Sequence, residues 1–300
     1  MTNMTGSVLR PDPLMDDRTN GGLKPLPIDR RDFALGAVFD LPKLSDIPEV
    51  FALAPKFPVK HQKTSDFCSA FTAAGMAEYQ DDVEFEPSYN FAKSKEISGD
   101  INEWGQDMRS AMKAGVKFGF LPKNKSPESL SSKSVEFLRD PKNWDRELDS
   151  IAAIYKKSSF FVIEGQYNSY DNIRAAIYRF KKERQVVAIG LKWAWPLSDT
   201  FLEEPENKGY GHMLYAYGWN GDYLLARNSY GSGVGDGGTH LIHKDVINHW
   251  IPFYGSMMMV DLPRDTVETY QKYGIKNDWS WWRKLLQVLY YLVSYEKTRT

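Results

Sequence analysis

Helix-forming segments come first in this chain, and strand-forming segments dominate after about residue 150. Residues 68–79 have the small side chains of a closely packed helix, and residues 107–116 are amphipathic. The later apolar runs are short, as in residues 185–193. Because helices and strands are segregated rather than alternating, the order predicts an α+β fold with two sub-domains.

Two of the apolar runs form a predicted hairpin. Residues 212–218 and 223–228 are joined by a turn that contains Asn220-Gly221, a strong hairpin signal. A hairpin places the start of its first strand near the end of its second, so we expect His212 and Asn228 to be neighbours. The other predicted elements after residue 150 are a helix at 171–183 and strands at 160–164, 239–243 and 256–262.

Composition excludes several classes of protein. The 300 residues are 42% hydrophobic and 26% charged, a globular balance that excludes wholesale disorder. Lys and Arg number 38 against 39 Asp and Glu, so the formal net charge is −1 and no overall field attracts nucleic acid. A polar N-terminal segment and a single cysteine lead us to expect a non-secreted protein, cytoplasmic or within an assembly, without disulfides.

The single cysteine, Cys68, lies at the start of the helix predicted over 68–79. Free N–H groups and the positive end of the helix dipole stabilise a thiolate there, although a lone cysteine is more often a small buried apolar residue. Cys68, His212 and Asn228 are the residue types of a thiol nucleophile, its base and the group that orients the base. Gln62 can add a side-chain amide to the Cys68 N–H, and two such donors make an oxyanion hole.

At these residues the chain resembles the papain-like cysteine peptidases. The separation of Cys68 and His212 falls within the spacing of that family. The resemblance covers roughly residues 45–262. It rests on four stretches in order, residues 58–62 (PVKHQ), 68–71 (CSAF), 211–212 (GH) and 228–238 (NSYGSGVGDGG).

The resemblance implies a papain-like two-lobe domain over residues 41–262. A helical lobe is expected at about 58–148 and an antiparallel, β-barrel-like lobe at about 149–262, with the active site in the cleft between them. The resemblance implies Cys68 as the nucleophile, His212 as its base, Asn228 as the residue that orients the imidazole and Gln62 as an oxyanion donor. This chemistry needs no metal or other cofactor.

Three further residues are candidates for substrate binding. Gly105 lies where the family has a glycine-containing cleft wall, and a glycine lets a substrate backbone approach closely; a helix-entry turn explains it equally well. Gly211 precedes the candidate base, and Tyr230 stands where the family has a Trp that shields the Asn–His hydrogen bond. Ser65 and Asp66 replace a half-cystine and a glycine of the family, and an inward Asp66 charge would oppose thiolate formation.

Both terminal regions carry predictions of their own. Residues 1–40 have the composition of a flexible N-terminal arm, and deletion of residues 1–30 is expected to raise peptide turnover if the arm lies in the cleft. Residues 263–300 are predicted to be an amphipathic helical tail. Apolar side chains from Trp281 to Val293 share one broad face, which packs on the body of the protein or docks a protein partner or a membrane surface.

The sequence favours a cysteine peptidase that cleaves peptide or protein substrates through a Cys68 thiolate and His212. Two other functions stay open. The altered neighbours of Cys68 fit a weak or inactive papain-like fold that serves as a structural or docking component, and the same thiol chemistry can transfer an acyl group to an amine. His240 and His243 lie three residues apart on a predicted strand and point to opposite faces, which argues against a shared metal site.

Overall fold

The computed structural model describes residues 21–27, 29, 31–205 and 209–261. The predicted C-terminal tail at 263–300, with its apolar face from Trp281 to Val293, lies outside the described residues, as does most of the predicted N-terminal arm. Helices and strands follow each other in the predicted order, which confirms the α+β class.

Eight α-helices lie within the described residues, most of them before the first long strand. They are α1 (Leu35–Val38), α2 (Cys68–Asp81), α3 (Pro87–Ser98), α4 (Met108–Lys117), α5 (Val135–Arg139), α6 (Glu147–Ala152), α7 (Ser169–Arg179) and α8 (Lys244–Tyr254). Short 3-10 helices lie at Leu44–Asp46, Lys123–Lys125, Pro141–Asn143 and Ala153–Tyr155. In the part of the chain that is described, no helix is long and apolar enough to cross a membrane.

The helices α2, α4 and α7 correspond to the predicted helices, whereas α3 and α8 are not predicted from the sequence. The reason for missing α3 is its burial of two lysines, Lys93 and Lys95, on its packed side, which hides an amphipathic pattern. In α8, Pro252 lies inside the helix, where proline usually ends one.

The strands form one open, mostly antiparallel sheet. They are β1 (Val50–Ala52), β2 (Ser159–Val162), β3 (Val187–Trp193), β4 (Phe201–Leu202), β5 (Tyr210–Asn220), β6 (Tyr223–Arg227), β7 (Thr239–His243) and β8 (Ser256–Val260). Their order is β2-β8-β3-β5-β6-β7-β4, and β1 also pairs with β5. Among the described strands, β4 and β7 are the parallel pair. The strand-rich half therefore has the predicted antiparallel pairing, with an order that is open at β2 and β4.

The predicted hairpin is formed by β5 and β6. Gly221 in its turn has φ +55°, a left-handed conformation that glycine adopts without strain. Tyr215 pairs with Arg227 across the hairpin. Asn228, the next residue, therefore lies near the end of β5 that carries His212.

Helix α2 packs directly on β5 and is buried along nearly its whole length. Thr72 donates its hydroxyl to the carbonyl oxygen of Met213 on β5 at 2.9 Å. A Cβ at Gly75 would lie 2.5 Å from Cε1 of Tyr215, so the helix approaches the strand at a distance that only glycine permits. This contact brings the N-terminus of α2, where Cys68 lies, to the strand that carries His212.

We expect Gly75→Ala to lower the free energy of unfolding by about 1–3 kcal/mol, because the added methyl group overpacks a buried contact. Helix preference alone would act in the opposite direction, since Ala is favoured over Gly by about 1 kcal/mol. The midpoint of chemical denaturation measures the change.

Gly233→Ala is the matched control, since a Cβ at Gly233 would have no neighbouring atom within 4 Å. It is expected to be neutral or slightly stabilising. Equal denaturation midpoints for the two variants would contradict the close contact between α2 and β5.

Candidate active site

Cys68 is the first residue of α2. The residue before it, Phe67, supplies no side-chain cap to the helix. The first N–H groups of α2, at the end of the helix where Cys68 lies, therefore have no capping side chain as a competing acceptor. Phe67 is fully buried and stacks on Phe91, with ring centroids 3.9 Å apart. This stack fixes the chain just before the thiol and explains how a bulky residue is accommodated there.

His212 and Asn228 are hydrogen-bonded to each other. Nε2 of His212 lies 2.9 Å from Oδ1 of Asn228, and the other ring nitrogen, Nδ1, is buried without a hydrogen-bond partner. Tyr230 stacks on the imidazole, with centroids 5.1 Å apart and planes 14° apart. Trp193 and the same imidazole form an edge-to-face pair, with centroids 5.4 Å apart. The imidazole is thus held in one plane, and one nitrogen is left to act.

The Cys68 thiol lies beside the strand that carries His212. Backbone groups of Met213, Gly22 and Ser69 hydrogen-bond to it, and Met213 is the neighbour of His212 in β5. The structure therefore brings the His212 imidazole onto the amide of Asn228, and it places the Cys68 thiol beside Met213, the residue that follows His212.

Burial decides the protonation of this pair. Cys68 and His212 are both fully buried. Burial raises the pKa of the Cys68 thiol to about 12, although the backbone hydrogen bonds act in the opposite direction. Burial also lowers the pKa of His212 to about 4, against the effect of its hydrogen bond with Asn228. In this covered form both groups are neutral at neutral pH.

Gln62 is fixed between the two halves of the site. It is fully buried, and its backbone N–H donates to Ser229 O at 2.7 Å. Its Nε2 donates to Ser65 O at 2.7 Å, and its Oε1 accepts from the Ser229 hydroxyl. One N–H of the amide is engaged by Ser65, which leaves the other as a potential donor beside the loop that leads to Cys68.

Residues 21–24, here named the covering segment, lie across the site. The N–H groups of Gly22 and Leu23 donate to Gly211 O at 3.1 and 3.0 Å. On the other side of the segment, Gln106 donates its N–H to Gly22 O at 2.6 Å, and its C=O accepts from the N–H of Lys24 at 3.2 Å. The segment therefore hydrogen-bonds through its backbone to both Gly211 and Gln106.

The covering segment belongs to the region predicted as a flexible arm, and side chains add to its attachment. The Trp104 indole N–H donates to Gly21 O at 2.7 Å. Lys24 forms ion pairs of 2.6 Å with both Asp100 and Glu103. These residues are bound rather than free, and the sequence hides this because backbone hydrogen bonds leave no side-chain pattern.

Glycines make room for the covering segment on both of its sides. A Cβ at Gly105 would lie 2.3 Å from Gly22 O, and a Cβ at Gly211 would lie 2.0 Å from Leu23 O. Both are candidate substrate-binding residues, and here they face the chain's own backbone. Tyr230, the third candidate, contacts the imidazole of His212.

The backbone of Gly105 is already held by buried charged side chains. Its N–H donates to Asp66 Oδ2 at 2.5 Å, and its C=O accepts from Lys95 Nζ at 2.6 Å. The other Asp66 oxygen accepts from Arg139 at 2.9 Å. The backbone that pairs with the covering segment on this side is therefore that of Gln106. The Asp66 charge is directed at Gly105 and Arg139, and it adds only a small rise to the pKa of Cys68 beside that of burial.

His240 is a member of the site that sequence reasoning misses. Its Nε2 lies 3.0 Å from Nδ2 of Asn228, and Ala226 pairs with His240 in the ladder of β6 and β7. The sequence suggests for His240 only the question of a metal ligand, because strand register cannot be read from one sequence. Among the described residues, no group of three or more His, Cys, Asp or Glu could hold a metal ion.

Comparisons by sequence find nothing similar to this chain. No family model matches it, and no curated protein matches it. Any relationship must therefore be sought in the fold.

Comparison with solved structures finds cysteine proteases. Xylellain, a cysteine protease from Xylella fastidiosa, is similar with a TM-score of 0.67 and 17% identity, over 82% of this chain and 97% of xylellain. Procathepsin B S9 from Trypanosoma congolense has a TM-score of 0.57 and 13% identity, over 82% of this chain and 87% of its own.

A third structure, the digestive procathepsin L 3 of Tenebrio molitor larval midgut, has a TM-score of 0.55 and 14% identity, over 77% of this chain and 76% of its own. At these identities the likeness concerns the fold. The chain therefore has the papain-like fold, in a divergent form.

Proposed function

We propose that this chain is a cysteine peptidase that cleaves peptide bonds through Cys68 and His212. The observation that carries the proposal is the state of His212. Its Nε2 is bound to Asn228, and its Nδ1 is buried without a partner. A buried, unpartnered ring nitrogen costs free energy, and it has a use where a thiol proton must be taken.

The reaction follows from these positions. His212 Nδ1 takes the thiol proton, and Sγ of Cys68 attacks the carbonyl carbon of a peptide bond. Gln62 Nε2 and the Cys68 N–H donate to the resulting oxyanion. The imidazolium then returns its proton to the leaving amine as the C–N bond breaks. Water, deprotonated by His212, attacks the acyl-enzyme, releases the acid and restores the thiol.

In this proposal, the form with the covering segment bound is the resting form of the enzyme. It occupies the backbone acceptor of Gly211 and the backbone groups of Gln106, which an extended peptide would need for pairing. Displacing residues 21–24 would admit water and substrate together. Rehydration favours the charged forms of the thiol and the imidazole, because burial is what disfavours them.

We expect iodoacetamide to label Cys68 of the full chain slowly, at a rate that rises about tenfold per pH unit around neutral pH. Burial raises the pKa of the thiol to about 12, and only the thiolate reacts. Deletion of residues 1–24 is expected to give rapid labelling at about pH 5–6. The chain has one cysteine, so the mass of the intact protein measures the reaction.

This deletion spares the contacts just beyond the covering segment. The N–H of Leu26 still donates to Phe253 O, and Arg109 still donates to Pro27 O. The same deletion with His212→Ala is the control, and it is expected to label like an ordinary thiol with a pKa of about 8.5. A deleted chain that behaves this way with His212 intact would instead support a docking component without a poised nucleophile.

In the chain lacking residues 1–24, we expect Asp66→Asn to raise KM for a fluorogenic peptide several-fold, with a smaller change in kcat. The Asp66 carboxylate holds the N–H of Gly105, so its loss loosens the cleft wall that includes Gln106. The variant also removes the negative charge that pairs with Arg139. Breaking a buried pair in this way costs roughly 3–5 kcal/mol of stability.

Asp81→Asn is the matched control for that loss of stability. Asp81 pairs with the fully buried Lys157 at 2.6 Å. It lies at the far end of α2 from Cys68, roughly 20 Å away by helix rise. We expect it to lower stability comparably and to leave KM unchanged. Equal KM effects in the two variants would show that Asp66 acts on overall stability alone.

A further inference from the structure

The side-chain amide of Asn228 is held from both sides. Its Oδ1 faces His212 Nε2 at 2.9 Å and accepts from the backbone N–H of Ser229 at 2.7 Å. Its Nδ2 lies 3.0 Å from Nε2 of His240. An amide oxygen accepts hydrogen bonds and an amide nitrogen donates them, so these partners define which way the amide faces.

The protonation of His240 is set by a backbone carbonyl group. The imidazole is fully buried, and its Nδ1 lies 2.7 Å from the carbonyl oxygen of Asp199. Because that oxygen can only accept, the ring proton lies on Nδ1. Nε2 of His240 is then an acceptor, which is what Nδ2 of Asn228 requires.

The surroundings keep His240 neutral and in place. Trp193 forms an edge-to-face pair with its ring, with centroids 4.8 Å apart. A Cβ at Gly235 would lie 2.9 Å from its Cε1, so the loop before β7 closes on it. Burial lowers the pKa of His240, and the backbone and charge of Asp199 oppose that effect. His212 is the other titratable ring that interacts with it.

We propose that His240 is a positioning residue that selects the tautomer of His212, an inference that rests on the proposed function. The hydrogen bonds run in one direction, from His240 to the Asp199 carbonyl and from Asn228 to His240. They leave Oδ1 of Asn228 facing His212, whose proton therefore lies on Nε2. Nδ1 is then the unprotonated nitrogen, and it can take the thiol proton of Cys68.

The opposite arrangement would disable the base. If the amide of Asn228 were reversed, its N–H groups would face Nε2 of His212. The imidazole proton would then lie on Nδ1, and a ring nitrogen that carries a proton has no lone pair with which to take the thiol proton. Replacing His240 by a residue without an acceptor removes one of the two groups that prevent this reversal, and the N–H of Ser229 remains as the other.

Long-range ¹H–¹⁵N correlation of the full chain, labelled with ¹⁵N-histidine, tests the inference directly. The chain has five histidines, and the spectra of His212→Ala and His240→Gln assign the two of interest. We expect opposite tautomers, with the proton of His212 on Nε2 and that of His240 on Nδ1. A proton on Nε2 of His240 overturns the inference, and the tautomers themselves are read in the parent chain.

Variants then show whether His240 controls His212. In His240→Leu, the Nδ1 signal of His212 is expected to move or split toward the protonated position. His240→Gln places an amide oxygen near the position of Nε2 and is expected to restore the parent signal. His243→Leu removes another histidine from β7 and is the control that should leave His212 unchanged. An unaltered His212 tautomer in His240→Leu also overturns the inference.

These readings are independent of peptidase activity. Failure of the proposed function appears as a Cys68 that is never labelled at low pH after removal of residues 1–24. Failure of the present inference appears in one of two ways, in a chain whose Cys68 is labelled as proposed. Either His212 or His240 has the opposite tautomer to the one expected, or the tautomer of His212 does not change in His240→Leu. The two failures are therefore distinguishable.

Discussion

The packing of α2 against β5 decides where Cys68 and His212 lie. Cys68 begins the helix and His212 lies on the strand, and Gly75 and Thr72 make the contact between them. Both groups are thus carried by regular elements of the core rather than by loops, which gives a site its precision. The hydrogen bond between His212 Nε2 and Asn228 Oδ1 adds orientation to a position that the core has already set.

The same burial that fixes Cys68 and His212 also disfavours the charged form of each side chain. With the pKa of the Cys68 thiol at about 12, forming the thiolate at neutral pH costs roughly 7 kcal/mol. Four residues of the chain's own backbone cover the site, and they do so with groups that a substrate would use. Under the proposed function, access to Cys68 depends on how readily the segment at 21–24 leaves, which its ion pairs at Lys24 and its hydrogen bonds to Gly211 oppose.

The sequence predicts the parts of this molecule that have a local or periodic signal. The hairpin turn at Gly221, the small-residue helix that starts at Cys68 and the proximity of His212 to Asn228 all follow from such signals. The role of His240 depends on the register of β6 with β7, and the covering segment depends on backbone hydrogen bonds. Neither leaves a side-chain pattern, so neither can be read from a single sequence.

Asp66 shows how a chain with one cysteine can hold the loop before Cys68. The resemblance places a half-cystine of the family at Ser65, and a disulfide typically contributes about 2–4 kcal/mol. Here the adjacent carboxylate binds Gly105 and Arg139 instead. A buried ion pair costs a similar free energy to break, and unlike a disulfide it does not depend on the redox potential of the surroundings. The sequence suggests that the Asp66 charge opposes thiolate formation. In the structure this charge has a structural use, because it binds the N–H of Gly105 and the side chain of Arg139.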